Sequence, residues 1–287
     1  RVMDYANPQA LVGADWLADH LQAPDLRILD ATFFLPGSKR NAGREFERGH
    51  IPGAVFFDIE RIRDETTDLP HMLPESEAFS RKAGELGIGD GDRIVVYDAN
   101  GGFSAAARAW WMFRVFGGQE VALLNGGLPK WKQMGLPLEQ GPPRPRPGSF
   151  TARFQPGLVR DLRQMLANLE SRRELVIDVR DTGRFAGIDA EPRPSRKRGH
   201  IPGSVNLPVS QLMEPANHFV MHQPDGIAEA FAAAGIDPEK PLVCSCGSGV
   251  TAAFAVFALY LMGHGEAAVY DGSWAEWGNR DDTPVES

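Results

Sequence analysis

His50-Ile51-Pro52-Gly53-Ala54-Val55 returns later in the chain as His200-Ile201-Pro202-Gly203-Ser204-Val205. The two segments have matching surroundings. Before each stands a short apolar run ending in aspartate, Leu26 to Asp30 and Leu175 to Asp178. After each comes a second strand-like run, Arg93 to Asp98 and Pro241 to Cys244. A loop of small residues and an apolar helical stretch follow, Ala105 to Phe116 in one copy and Thr251 to Met262 in the other. Both copies close on a tight turn ahead of a tryptophan: Leu124-Asn125-Gly126-Gly127 before Trp131, and Tyr270-Asp271-Gly272-Ser273 before Trp277. An offset of 146 to 150 residues holds throughout, which marks a tandem duplication. Alternating β and α patterns in each copy predict an α/β fold, each domain a central parallel sheet flanked by helices. Ile94-Val95-Val96-Tyr97 is a continuous apolar run, as a strand buried on both faces should be. The predicted domains are 9–138 and 153–287. Between them 139–152 is read as a linker, because four prolines in Gly141 to Gly148 favour an extended connector.

The 287 residues are 43% hydrophobic and 24% charged, a globular composition that argues against wholesale disorder. A net charge of -8 argues against a general nucleic-acid footprint. The longest apolar run, Ala252 to Met262, is about half a membrane span, and Arg1 to Asp4 carry no charged-then-apolar leader pattern. Cys244 and Cys246 are too close together to staple a fold, so a reducing, cytoplasmic setting is expected.

In parallel sheets the reactive loop lies at the carboxyl ends of the strands. After Val243 the second copy reads Cys244-Ser245-Cys246-Gly247-Ser248-Gly249-Val250-Thr251. A cysteine just ahead of a helix faces unpaired backbone N–H groups and the positive end of the helix dipole, both of which favour a nucleophilic thiolate. Gly247 and Gly249 let the loop curl so that its N–H groups converge on one anionic centre. Cys246 is therefore the candidate nucleophile. Cys244, on the strand, reads as a small buried residue whose role is open. In the first copy the matching stretch is Asp98-Ala99-Asn100-Gly101-Gly102-Phe103, which puts Asn100 opposite Cys246 and makes that copy catalytically silent. No metal set emerges: Cys-x-Cys lacks a second cysteine pair, and His218 and His222, read as surface histidines, lack the glutamate of a zinc-protease motif.

At these residues the sequence resembles the tandem-domain rhodanese sulfurtransferases, and within them the mercaptopyruvate-using branch. The carriers are the two His-Ile-Pro-Gly segments, Trp110-Trp111-Met112-Phe113, and the loop Cys246-Gly247-Ser248-Gly249-Val250-Thr251. The resemblance implies sulfur transfer from 3-mercaptopyruvate through a Cys246 persulfide to a thiol, thioredoxin or cyanide. Pyruvate leaves, and neither metal nor organic cofactor takes part. Thiosulfate-using relatives carry basic residues in this loop, which suits a dianion at the cysteine, whereas Gly-Ser-Gly leaves the loop uncharged. The resemblance further implies that Arg184 and Arg193 anchor the substrate carboxylate, with Gly247, Gly249, Val250 and Thr251 forming the loop cradle. It assigns Ser248, His71 and Glu60 to a proton relay in which glutamate stands where the family has aspartate. His50 and His200 match a motif that shapes a turn. The alternatives are a thiosulfate sulfurtransferase and a non-catalytic persulfide carrier or interaction module. A cysteine phosphatase would need an arginine six residues after Cys246, where Ala252 stands.

Overall fold

The computed structural model describes residues 3–101, 105–118 and 120–287. In the first copy the chain runs β1 (Leu11–Val12), α1 (Ala14–His20), β2 (Leu26–Asp30), α2 (Ala42–Arg48), β3 (Val55–Phe56), α3 (Ser76–Glu85), β4 (Arg93–Tyr97), α4 (Ala105–Val115), β5 (Val121–Leu124) and α5 (Gly127–Gln133). The second copy runs β6 (Val159–Arg160), α6 (Leu162–Ser171), β7 (Leu175–Asp178), α7 (Thr182–Phe185) and β8 (Val205–Asn206). It continues through a hairpin of β9 (Met213–Glu214) and β10 (Val220–Met221), then α8 (Pro224–Ala233), β11 (Leu242–Ser245), α9 (Ala252–Leu261), β12 (Ala268–Tyr270) and α10 (Ser273–Trp277). The strand orders β1-β5-β4-β2-β3 and β6-β12-β11-β7-β8 are the same order repeated, and every pairing in these two sheets is parallel. Each domain is thus the expected α/β unit.

The two His-Ile-Pro-Gly segments do the same structural work. His50 Nδ1 lies 2.7 Å from the Phe46 carbonyl and its ring stacks on Phe46 at 3.9 Å. His200 repeats this with Phe185, at 2.8 Å and 3.7 Å. Each histidine also bridges to a glutamate that returns from beyond the last helix, Glu139 for His50 and Glu286 for His200. Glu139, expected in the linker, is therefore tied into the first copy. The segment after it packs on that copy too: the Gly148 amide donates to the Gly84 carbonyl at 2.8 Å, and Thr151 Oγ1 to Asp90 at 2.7 Å.

Helices α4 and α9 are apolar almost all round because neither has a solvent side. Each covers its own sheet and meets the other across the junction of the copies, with Trp110 on Phe257 at 4.9 Å and on Tyr260 at 5.4 Å. One apolar core consequently runs through both copies. The copies also exchange segments. The chain after β3 crosses to the second copy, where the Leu73 amide donates to Asp271 at 2.8 Å. The chain after β8 crosses the other way, and the Met221 amide donates to Asn125 at 2.9 Å. His71 and Phe219 hold equivalent places in these crossings, both in the left-handed region, at φ +59° and +57°.

Candidate active site

Strand register decides what stands where in the two loops. Asp30 pairs with Tyr97 in the first sheet and Asp178 with Ser245 in the second, so the next residues, Asp98 and Cys246, are equivalent. The loop bonds agree: Leu128 N donates to the Asp98 carbonyl and Trp274 N to the Cys246 carbonyl, each at 2.9 Å. The expected match of Asn100 with Cys246 is corrected accordingly. It followed the glycines, but the offset between the copies falls from 148 at the strands to 146 at the ends of α4 and α9, so the first copy carries two more residues in between. Gly102, Phe103 and Ser104 lie outside the described residues.

In the first copy the Asp98 carboxylate takes backbone amides, from Asn100 at 2.9 Å and Ala106 at 3.1 Å. In the second, Cys246 Sγ accepts the Gly249 amide at 3.1 Å. The loop thus places an amide on the atom held at this position, which is what a thiolate or persulfide requires. Gly249 is left-handed at φ +80°, and a Cβ there would come within 2.9 Å of the Asp271 carbonyl. Ser273, itself left-handed, braces the loop from behind: its Oγ accepts the Cys246 amide at 3.1 Å and donates to the Tyr270 carbonyl at 2.8 Å. Cys244 is wholly buried on β11, where burial pushes its thiol well above the ordinary range. That suits a packing residue and not a nucleophile.

Cys246 lies in a cavity of about 370 Å³ between the copies, with Phe33, Phe34 and Leu35 of the first copy opposite Gly247, Ser248, Val250 and Thr251 of the second. Both predicted arginines line it. Arg184 sits over the loop so closely that a Cβ on Gly247 would come within 2.8 Å of its Nη2. It is held there by Glu191, which takes Nε at 2.9 Å and also Nη2. Glu191 in turn bonds the buried Arg180, which forks onto Asp178 at 2.7 to 3.1 Å. A buried Asp178–Arg180–Glu191 chain therefore aims the Arg184 guanidinium.

Arg193 lines the cavity on one side and touches His71 on the other, Nη2 to Nε2 at 3.1 Å. Glu60 approaches the same ring nitrogen, also at 3.1 Å, so the longer glutamate does reach His71. Burial, reinforced by Arg108 and Arg193, pushes His71 down to about 3. A neutral ring at Nε2 either accepts from Arg193 or donates to Glu60. Nδ1 is buried without a hydrogen-bond partner among the described residues. Ser248 lines the cavity, but no hydrogen bond among the described residues joins it to His71. His218 and His222, expected at the surface, are half-buried on the hairpin that crosses to the first copy.

Several residues escaped the sequence reading. Asp98, Glu191 and Asp271 gave no signal in a single sequence. Arg108 did give one, as a charge inside an otherwise apolar helical stretch. It is fully buried, and its Nη1 lies 2.7 Å from Asp271.

No helix among the described residues is long and apolar enough to cross a membrane. The rhodanese-like domain family matches twice, at residues 13–134 and 159–280. A human 3-mercaptopyruvate sulfurtransferase is 45% identical over 95% of this chain and 94% of its own. A bovine thiosulfate sulfurtransferase is 41% identical over 95% and 93%. Among solved structures, the 3-mercaptopyruvate sulfotransferase SseA of Escherichia coli superposes with a TM-score of 0.84 at 41% identity, covering 93% of this chain and 99% of that one. Two family matches and full-length identity at this level place the chain in the rhodanese family, as a tandem of two rhodanese-like domains.

Proposed function

We propose that the protein is a 3-mercaptopyruvate sulfurtransferase that carries sulfur on Cys246. The observation behind this reading is the pairing of an amide-held sulfur with two arginines across one small cavity, in a loop that has no cation of its own. The Cys246 thiolate attacks the substrate sulfur, and an S–S bond forms as the substrate C–S bond breaks. The electron pair departs on pyruvate enolate, which takes a proton to become pyruvate. Cys246 is left as a persulfide, whose charge the loop amides stabilise. Arg184 and Arg193 take the carboxylate and the ketone oxygen, for which guanidinium forks are suited. Gly247, Gly249, Val250 and Thr251 shape the cradle. Ser248, on the cavity wall, passes the proton to the enolate in this reading, and the neutral His71, with Glu60 and Arg193 at its ring, sets the local charge.

A thiol attacks the outer sulfur next. A dithiol such as thioredoxin completes the cycle by closing its own disulfide and releasing hydrogen sulfide, while cyanide leaves as thiocyanate. Two free cysteines and a persulfide intermediate suit a reducing cytoplasmic compartment. The domains in this reading are an N-terminal non-nucleophilic copy and a C-terminal catalytic copy, joined by the proline-rich segment.

The identity to a thiosulfate sulfurtransferase favours thiosulfate as a second donor. Steady-state rates with the two donors side by side decide between them. Mercaptopyruvate is expected to be the better substrate, and a kcat/KM for thiosulfate equal or higher would overturn the assignment.

A further inference from the structure

Arg108 comes from α4 of the first copy, yet two of its partners belong to the second. Its guanidinium packs 4.6 Å from the Trp111 ring. Nη1 donates to the Asp271 carboxylate at 2.7 Å and approaches the Gly249 carbonyl at 3.3 Å. Nη2 donates to the His71 carbonyl. The other Asp271 oxygen accepts the Leu73 amide at 2.8 Å. One guanidinium and one carboxylate thus hold the 71–73 backbone from both ends, where His71 adopts its left-handed conformation. They also hold the loop. With the Gly249 carbonyl turned toward Arg108, the planar trans peptide directs the Val250 N–H the opposite way, while the Gly249 amide remains on Cys246 Sγ.

The silent half is an internal control. There the Met221–Asn125 bond repeats the Leu73–Asp271 bond, but Asn125 is neutral. The bonds that close α4 and α9, Phe116 N to the Met112 carbonyl and Met262 N to the Ala258 carbonyl, put the helices in register and set Phe254 opposite Arg108. Among the described residues, the crossing therefore docks without an ion pair at these positions in the copy that lacks the cysteine.

Resting on the sulfur-transfer reading above, we propose that Arg108 is a positioning residue for that reaction. Through the His71 and Gly249 carbonyls it holds the first copy's histidine and the second copy's cysteine loop in one geometry, with Asp271 as its counter-ion. Its charge also faces the His71 ring, alongside Glu60 and Arg63 from the same crossing and Arg193 from the second copy. Removing Arg108 should therefore raise the histidine's titration point.

The test is the full-length double variant Arg108→Ala/Asp271→Asn, which removes both charges, as in the silent half, and leaves no orphaned charge. With mercaptopyruvate and a thiol acceptor, kcat should fall roughly 100-fold, the scale of a misplaced assisting group, while KM stays within about 3-fold because Arg184 is untouched. The NMR titration of His71 should move to higher pH, as loss of the neighbouring charge requires. A folded double variant with wild-type kcat overturns the proposal, whatever its KM. If the double variant does not fold, Arg108→Lys carries the test. It keeps a charge beside Asp271 but cannot span both carbonyls, so kcat should fall about 10-fold, and an unchanged kcat overturns the proposal. Wild-type turnover is the control. Its absence would remove the sulfur-transfer reading itself, whereas its presence with an unaffected variant removes only the role of Arg108.

Discussion

Asp98 and Cys246 occupy the same place in two copies of one loop, and the atom each presents there accepts a backbone amide. The duplication has kept the cradle and changed its occupant. In the first copy a fixed carboxylate fills the place of the anion. In the second, a thiol leaves it open to an exchangeable sulfur.

The surroundings explain why restoring a thiol should not restore chemistry. Phe219 stands in the first copy where His71 stands in the second. By the stacking that makes Phe46 the counterpart of Phe185, Glu45 corresponds to Arg184. After mercaptopyruvate treatment, the intact mass of the wild type should rise by one sulfur, about 32 Da, as covalent catalysis requires. The Asp98→Cys/Cys246→Ser variant should show neither adduct nor turnover. An adduct in that variant would mean that the loop alone, without the arginines, suffices to take sulfur.

Gly247 is expected to matter through Arg184. Alanine would place a methyl 2.8 Å from Nη2, and Glu191 prevents the guanidinium from swinging aside without losing its bonds. Gly247→Ala and Arg184→Lys should each reduce kcat/KM for mercaptopyruvate by about 1–3 kcal/mol, the scale of a hydrogen bond to a charged group. Combined, they should cost less than the sum, because both act on one contact. Full additivity in the double variant would show that the glycine serves something other than the arginine.

His71 should make the protein acid-sensitive well above the carboxylate range. Its folded value of about 3 lies below the ordinary 6.5, so between these limits the unfolded chain binds the extra proton. Stability from this group is present above about 6.5 and is lost as pH falls toward 3. At pH 5 the loss is on the order of 2 kcal/mol. His71→Phe, the residue that the mirror position uses at the same φ, should remove this loss. Urea unfolding at pH 7 and pH 5 measures it. An equal drop between the two pH values in variant and wild type would contradict the burial argument.

The fold was legible because a duplication states its own boundaries. Two His-Ile-Pro-Gly segments with matching flanks located the strands on either side of them in both copies without reference to contacts, and the apolar character of Ala105 to Phe116 marked a buried helix. What lay hidden was the relation between the copies. A sequence shows that α4 is apolar all round but not that it packs on α9. Aligning glycines chose Asn100, whereas only strand register reveals Asp98. The cysteine was readable from its own loop, whereas both arginines and the histidine came from the family resemblance. The groups that aim them, Glu191 at Arg184 and Arg108 at His71, act through tertiary contacts over 7 and 37 residues, and no local pattern encodes those.

Asp30 and Asp178 offer the last comparison, since equivalent strand ends have been neutralised differently. Asp178 forks onto Arg180 at 2.7 Å. Asp30 has Thr32 at the matching position and accepts its amide at 2.9 Å, beside the buried Tyr97. Burial, with lesser opposition from Thr32, pushes the Asp30 carboxyl up to about 6. The folded chain therefore holds a proton that the unfolded chain has lost between about pH 4 and pH 6. Stability from this group is present below about 4 and declines as pH rises through 6, by roughly 3 kcal/mol in all. Asp30→Asn keeps an acceptor for the Thr32 amide and removes the ionisation. It should stabilise the protein by about 1–3 kcal/mol at pH 8 while leaving it nearly unchanged at pH 4.5, the discount reflecting an imperfectly paired amide. Urea unfolding at both pH values gives the difference directly. A variant that is less stable than wild type by the same amount at pH 4.5 and pH 8 would show that Asp30 is charged and satisfied in the folded chain.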